Sequence, residues 1–160
     1  MSLRMACEAS EVIAGAGVMI ASMPAKLDCA PTEPISVLIM NGTEDPLVPF
    51  EGGQVHFFRQ ELGEVNSTPD TVAFWLDANQ CDPNPLVERL PDLDTEDGTQ
   101  VQLDTYAGCD GDVSVLMYTI EGGGHTIPGG TQYVPKIVIG RVSHDIHAAE
   151  AIWDFFESTP

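Results

Sequence analysis

The sequence predicts an α/β protein with a mostly parallel sheet flanked by helices. Three observations carry that expectation. Two uninterrupted apolar runs, at 35–40 and 113–120, read as strands buried on both faces, as parallel strands are. Each run leads into a turn that carries one ionisable side chain, Asp45 after the first and His125 after the second, where open α/β sheets place their chemistry. Between and around the runs lie segments with helix caps or helical spacing.

The elements follow in order. Residues 1–10 are good helix formers without an N-cap, and they read as the tail of a helix. Residues 12–20 are small and apolar, which fits a buried strand with a loop after it. Residues 30–34 carry two prolines and form a connector. The strand at 35–40 comes next, then a loop over 46–53. A short helix is expected over 55–62, bearing His56, Phe57 and Phe58. Ser67-Thr68-Pro69-Asp70 is a helix start: a hydroxyl to cap, proline in the first turn, and an acid at the positive end of the helix dipole. That helix runs to about Asn79. Strands at 86–90 and 99–106 flank an acidic loop, and their spacing suggests a small antiparallel excursion from the main sheet. The strand at 113–120 leads into a long glycine-rich loop over 121–143, and loops of that length are usually functional. Ser143 is a candidate cap for a last helix over 144–157, whose Ile146, Ala149, Ile152, Trp153 and Phe156 follow helical spacing.

Composition narrows the function. A length of 160 residues suits one domain, and an apolar content of 43% is too high for a disordered chain. Asp and Glu number 25 against 6 Lys plus Arg, a net charge of −19, so the surface repels nucleic acid and anionic lipid. No nucleic-acid partner is expected, and no apolar run reaches the ~18 residues that would span a bilayer. A salt-adapted source is an alternative account of the acidity. The four cysteines, Cys7, Cys29, Cys81 and Cys109, form no Cys-x-x-Cys pair and allow three pairings. Local order favours Cys7–Cys29 with Cys81–Cys109, and disulfides would imply an oxidising compartment, extracellular or periplasmic. The N-terminus shows no signal peptide pattern.

The chemistry rests on Asp45 and His125. An acid followed later in the chain by a histidine is the order of the last two triad members in an α/β-hydrolase. The acid holds the imidazole tautomer and the histidine moves the proton. Glu44 is the second choice for the acid. Three glycines before His125 let that loop bend sharply and approach its neighbours closely. The nucleophile of such a triad is a serine in a Gly-x-Ser-x-Gly elbow, and none of the serines here has glycine at both −2 and +2. Weaker signals are an acidic loop at 92–98 with a partial calcium-loop pattern, and His144-x-x-His147, which would offer two ligands from one helix face. Both are better read as solvated surface.

The segment Asn41-Gly42-Thr43-Glu44-Asp45-Pro46-Leu47-Val48-Pro49-Phe50 resembles the His-Gly-Thr-x-Asp-x-x-Val-Pro-Tyr segment of the polyhydroxybutyrate depolymerase and feruloyl esterase family of α/β-hydrolases. The segment Thr119-Ile120-Glu121-Gly122-Gly123-Gly124-His125-Thr126-Ile127-Pro128-Gly129-Gly130 is similar to its Gly-Gly-His-x-Trp-Pro-Gly segment. Residues 1–8 resemble the helix that follows its nucleophile elbow. The resemblance covers nearly all of this chain and about the second half of the family's domain. It implies that residues 1–160 are a single partial α/β-hydrolase domain, the C-terminal part, with Asp45 as triad acid, His125 as triad base and the serine upstream. Asn41 stands where the family has histidine, and Ile127 where it has tryptophan, which removes an aromatic wall.

The expected function is therefore a serine carboxylic-ester hydrolase, polyhydroxyalkanoate depolymerase-like or feruloyl-esterase-like, with no cofactor and no metal. Its substrate would be a polyester or a plant-type aromatic ester. These 160 residues alone are expected to be inactive. A non-catalytic assembly or binding module on the same scaffold, with an exposed sheet edge that favours a homodimer, is the alternative, and a peptidase is a third.

Overall fold

The computed structural model describes residues 1–57 and 60–159. Helix α1 (Ser2–Glu8) leads into β1 (Gly15–Met19) and β2 (Ser36–Gly42). A hairpin follows, β3 (Gly53–Phe57) with β4 (Gln60–Val65), then α2 (Thr68–Ala78). Strands β5 (Leu86–Arg89), β6 (Gln100–Tyr106) and β7 (Val115–Glu121) precede a short α3 (Lys136–Ile139) and the last helix α4 (Ala148–Ser158).

The main sheet has five strands in the order β1-β2-β7-β6-β5, and β3–β4 forms a separate two-stranded sheet. β1 pairs with β2, and β2 with β7, in parallel; β7 with β6, and β6 with β5, are antiparallel. The sheet is thus mixed rather than mostly parallel. The excursion at 86–106 does not leave the main sheet but extends it beyond β7. Its connections explain the direction: only residues 107–114 lie between β6 and β7, too few for a parallel crossover.

Strand β2 lies inside the sheet between β1 and β7, and all seven of its residues are buried. Because side chains alternate, Val37 and Ile39 enter one layer and Leu38 and Met40 the other. The first layer packs against Leu3 and Ala6 of α1 and Val72 and Trp75 of α2. The second packs against Ala148 and Phe155 of α4. A strand covered on both faces has no polar side to alternate with, which is why its sequence reads as one apolar run.

Helix α2 begins as expected: Ser67 Oγ accepts from the Asp70 amide at 3.0 Å, an interaction worth about 1 kcal/mol in helix caps generally. The helix expected over 55–62 is instead the β3–β4 hairpin. His56 faces Glu61 and Gln54 faces Glu64 across two largely exposed antiparallel strands, so the segment pairs with itself instead of coiling. Phe58 lies outside the described residues. The last helix starts later than expected, at Ala148, and Ser143 is not its cap. The His144 amide donates to Asp97 Oδ2 at 2.8 Å, and the Asp145 carboxylate is engaged by loop 92–98, so this stretch is held extended by tertiary bonds. His144 and His147 consequently precede the helix rather than share one of its faces.

The cysteines pair as Cys7–Cys29 and Cys81–Cys109, which fits an oxidising compartment. No helix among the described residues is long and apolar enough to cross a membrane.

Candidate active site

The register of the sheet sets up the site. Asn41 of β2 lies beside Thr119 of β7, and Gly42 beside Ile120, so the two strands end level. The turns beyond them are zipped together by backbone bonds. The Thr43 amide donates to Ile120 O at 3.0 Å and the Glu44 amide to Gly123 O at 2.9 Å. Thr43 Oγ1 accepts from the Gly122 amide at 2.9 Å. Two glycines make this approach sterically feasible. A Cβ on Gly42 would lie 2.3 Å from Gly123 O, and one on Gly124 would lie 2.2 Å from Ile139 O. No side chain fits at either place.

Asp45 is held from the next residues of its own chain. Its Oδ1 accepts from the Leu47 and Val48 amides, both at 2.8 Å. That leaves Oδ2, which lies 2.8 Å from His125 Nδ1. The Asp45 side chain is buried at 3% exposure, whereas the His125 ring keeps 22%. The His125 amide donates to Ile139 O, which fixes the backbone beneath the ring. A carboxylate can only accept, so Nδ1 carries the proton and donates it to Asp45 Oδ2, leaving the lone pair on Nε2. This is an imidazole with one nitrogen locked and the other able to take a proton. Glu44 turns away to pair with Arg141 Nη1 at 2.9 Å on the surface.

Asn41 ties the end of β2 to the loop after β1. Its amide donates to Ala21 O (3.0 Å) and Thr68 Oγ1 (2.9 Å), and its Oδ1 accepts from the Ala21 amide (3.0 Å). The same loop borders a cavity of about 410 Å³, lined by Met1, Ser2, Ile20, Ala21, Ser22 and Ile127 among others. Ile127, two residues past His125, is half-exposed at its edge. Among the described residues no hydroxyl is hydrogen-bonded to His125 Nε2, and the four cysteines are in disulfides.

Sequence reasoning did not single out Thr43, Arg141 or the Ile139 carbonyl, all of which hold the two turns together. A threonine directly after the glycine that ends a buried strand was the available signal for the first. The other two act across 97 and 14 positions of chain and leave no local trace. In the acidic loop the Asp94 and Asp97 carboxylates are taken up by backbone and hydroxyl donors of the protein. Asp97 Oδ1 accepts from the Thr99 amide and hydroxyl, both at 2.7 Å, and Asp94 Oδ1 from the Glu96 amide. Among the described residues no three His, Cys, Asp or Glu side chains are grouped as a metal ion requires.

No family model matches the chain. It is 31% identical to the protein named "Putative esterase NocK" of Nocardia uniformis subsp. tsuyamanensis over 97% of its own length and 47% of that protein's. It is 26% identical to feruloyl esterase B of Piromyces equi over 78% of its own length and 22% of that protein's. The chain is therefore related to proteins named esterases and spans less than half the length of each.

Proposed function

We propose that the chain is the part of a serine carboxylic-ester hydrolase of the α/β-hydrolase fold that supplies the acid and base of the triad. The supporting observation is the Asp45 Oδ2 to His125 Nδ1 contact of 2.8 Å, with Oδ1 pinned by two amides so that Oδ2 has one direction to face. Residues 1–160 would belong to a single domain completed by sequence outside them.

In this reading a serine hydroxyl outside the 160 residues attacks the ester carbonyl while His125 Nε2 takes its proton. The imidazolium is stabilised by Asp45, and His125 then gives the proton to the departing alcohol, leaving an acyl-serine. Water attacks the acyl carbon by the same route, releasing the acid and restoring the serine. The cavity beside Ile127 and the loop after β1, which Asn41 holds, would take part of the substrate. The motifs around Asp45 and His125, and the second relative's name, favour a polyhydroxyalkanoate or feruloyl ester. Ile127 in place of an aromatic residue weakens ring stacking there.

The test is labelling by a fluorophosphonate probe of a longer protein that contains these residues. Labelling abolished in His125→Ala and reduced in Asp45→Asn, with unchanged thermal unfolding, is the expected result. Labelling indifferent to His125 would overturn the assignment. His125-dependent hydrolysis of a nitrophenyl ester by the 160 residues alone would place the nucleophile inside the chain and overturn the division of the triad.

A further inference from the structure

The parallel strands β1, β2 and β7 end level, with Met19 beside Met40 and Asn41 beside Thr119. Asp45 and His125 stand on the turns after β2 and β7, so the residue after β1 reaches the same edge of the sheet, the edge where such sheets bind ligands. That residue is Ile20, and its φ is +49°. A β-branched residue rarely adopts this conformation, which persists only where the surroundings over-determine it. Here they do. The Ile20 amide donates to Met40 O at 2.9 Å. The next residue is gripped at both backbone groups: the Ala21 amide donates to Asn41 Oδ1, and Ala21 O accepts from Asn41 Nδ2, both at 3.0 Å.

The core does not account for this strain. Continued extension would send Ile20 to the side of Ala16 and Val18, into the layer under α1 and α2, and the positive φ ends that alternation. Ile20 packs in neither apolar layer of the sheet, and neither does Ile127. Both line the cavity of about 410 Å³ instead, with Ile20 half-buried and Ile127 half-exposed. Ile127 is two residues past His125. No aromatic residue lines this cavity among the described residues. Of its polar side chains, Ser22 shares hydrogen bonds with Thr68 and Asn41, and Arg4 Nε donates to Glu8. A strained apolar residue that serves neither layer and lines space at this edge is placed for a ligand.

We propose that Ile20, together with Ile127, determines specificity: the two form an aliphatic wall that favours an ester carrying a saturated alkyl chain over one carrying an aromatic ring. This rests on the ester-hydrolase reading and narrows its substrate class. A flexible methylene chain can settle against branched aliphatic side chains and gain dispersion along its length. A flat ring gains most from aromatic faces and edges, which this cavity lacks.

The test uses a longer protein that contains these residues. Its readout is the ratio of kcat/KM for nitrophenyl hexanoate to that for nitrophenyl dihydrocinnamate. Both acyl groups begin with a methylene, so their intrinsic reactivities are similar. Hexyl acetate against phenethyl acetate, followed by acid release, asks the same of the alcohol side. Ile20→Ala should lower the alkyl-to-aromatic ratio roughly five- to twentyfold in one of the two series, and Ile127→Ala should lower the same ratio. Val12→Ala, which trims an exposed apolar side chain elsewhere, should leave it unchanged. Ile20→Gly should lose the ratio as Ile20→Ala does, yet melt a few degrees higher than Ile20→Ala, because only glycine relieves the positive φ. A ratio unmoved by Ile20→Ala in both series, an equal change from Val12→Ala, or Ile20→Gly melting no higher than Ile20→Ala overturns the proposal. His125→Ala separates the two readings. Hydrolysis that this variant loses, with a ratio indifferent to Ile20, sinks the Ile20 assignment alone. Hydrolysis that survives it, or none in the parent, sinks the ester-hydrolase reading and this inference together.

Discussion

Asp45 and Asp145 are two buried aspartates built on one plan and put to different uses. Each gives Oδ1 to two backbone amides, Leu47 and Val48 in one case, Leu93 and Asp94 in the other. They part at the second oxygen. Asp45 Oδ2 faces an imidazole at 2.8 Å, whereas Asp145 Oδ2 faces no donor among the described residues. The anchoring also differs in reach. Asp45 is held by amides two and three residues ahead, so its aim is fixed locally. Asp145 holds amides about fifty residues behind it and works as a stitch between distant segments. A carboxylate that faces an imidazole and one that fastens a loop are thus indistinguishable at Oδ1, and what meets Oδ2 separates them.

The largest effect that would break this contrast is catalytic. In a longer protein that holds the nucleophile, His125→Ala should lower kcat roughly 10⁴- to 10⁶-fold, and Asp45→Asn by somewhat less. Asp145→Asn should leave kcat within twofold, as steady-state ester hydrolysis would show. A comparable loss from Asp145→Asn would mean that the two aspartates are not separable in role.

Next comes the rigidity beneath the pair. Gly124→Ala drives a Cβ to within 2.2 Å of Ile139 O and 2.4 Å of Gly140 Cα, both backbone atoms. The expected cost is about 3 kcal/mol or more in denaturant unfolding.

Acid titration sharpens the contrast within the acidic loop. Burial raises the Asp97 carboxyl, but the His144 amide and the Thr99 hydroxyl and amide outweigh it, and the group ends below the usual carboxylate range. A depressed acid stabilises the fold above its unfolded value, near 4, and loses that contribution as pH falls through the folded value. Asp97→Ala should therefore cost about 2 kcal/mol at neutral pH, and the gap from the parent should close as pH drops below ~4. Asp92 runs the other way. Burial, then the charges of Asp145, Asp97 and Asp94, hold it up. Its protonated form favours the fold, and that contribution fades as pH rises through its folded value, so Asp92→Asn should raise Tm at neutral pH and not in acid. Thermal melts across the acid range check both signs.

The smallest effect is the most diagnostic. Asp145→Asn keeps the Oδ1 acceptor and replaces the donorless oxygen with an amide. Chemical unfolding should show a change between zero and about 1 kcal/mol of stabilisation, where Asp45→Asn should show none.

Much of this was readable from residue order. The two central strands announced themselves because burial on both faces leaves no polar alternation, and the chain positions of Asp45 and His125 followed from the strand ends. The cap of α2 was readable because Ser67 acts on Asp70, three residues away. The disulfide pairing followed sequence proximity. The β3–β4 hairpin leaves little trace in the sequence because an exposed two-stranded sheet lacks a clean apolar alternation. The start of α4 was misplaced because His144 and Asp145 spend their hydrogen bonds on loop 92–98, a partner no local pattern reveals. The mixed character of the sheet escaped for a related reason: strand direction beyond β7 depends on the short 107–114 connection returning alongside β7.

Residue order alone determined which segments are buried, where the strands stop, and which acid and which histidine stand at their ends, because periodicity, turns and caps act over a few residues. Only the folded arrangement decided that β2 and β7 end level, that glycine backbones bring Asp45 Oδ2 to His125 Nδ1, and that Asp145 Oδ2 is left without a donor. Those outcomes depend on atoms fifty to eighty residues apart meeting within 3 Å or failing to, and contacts at that separation are set by packing rather than by local propensity.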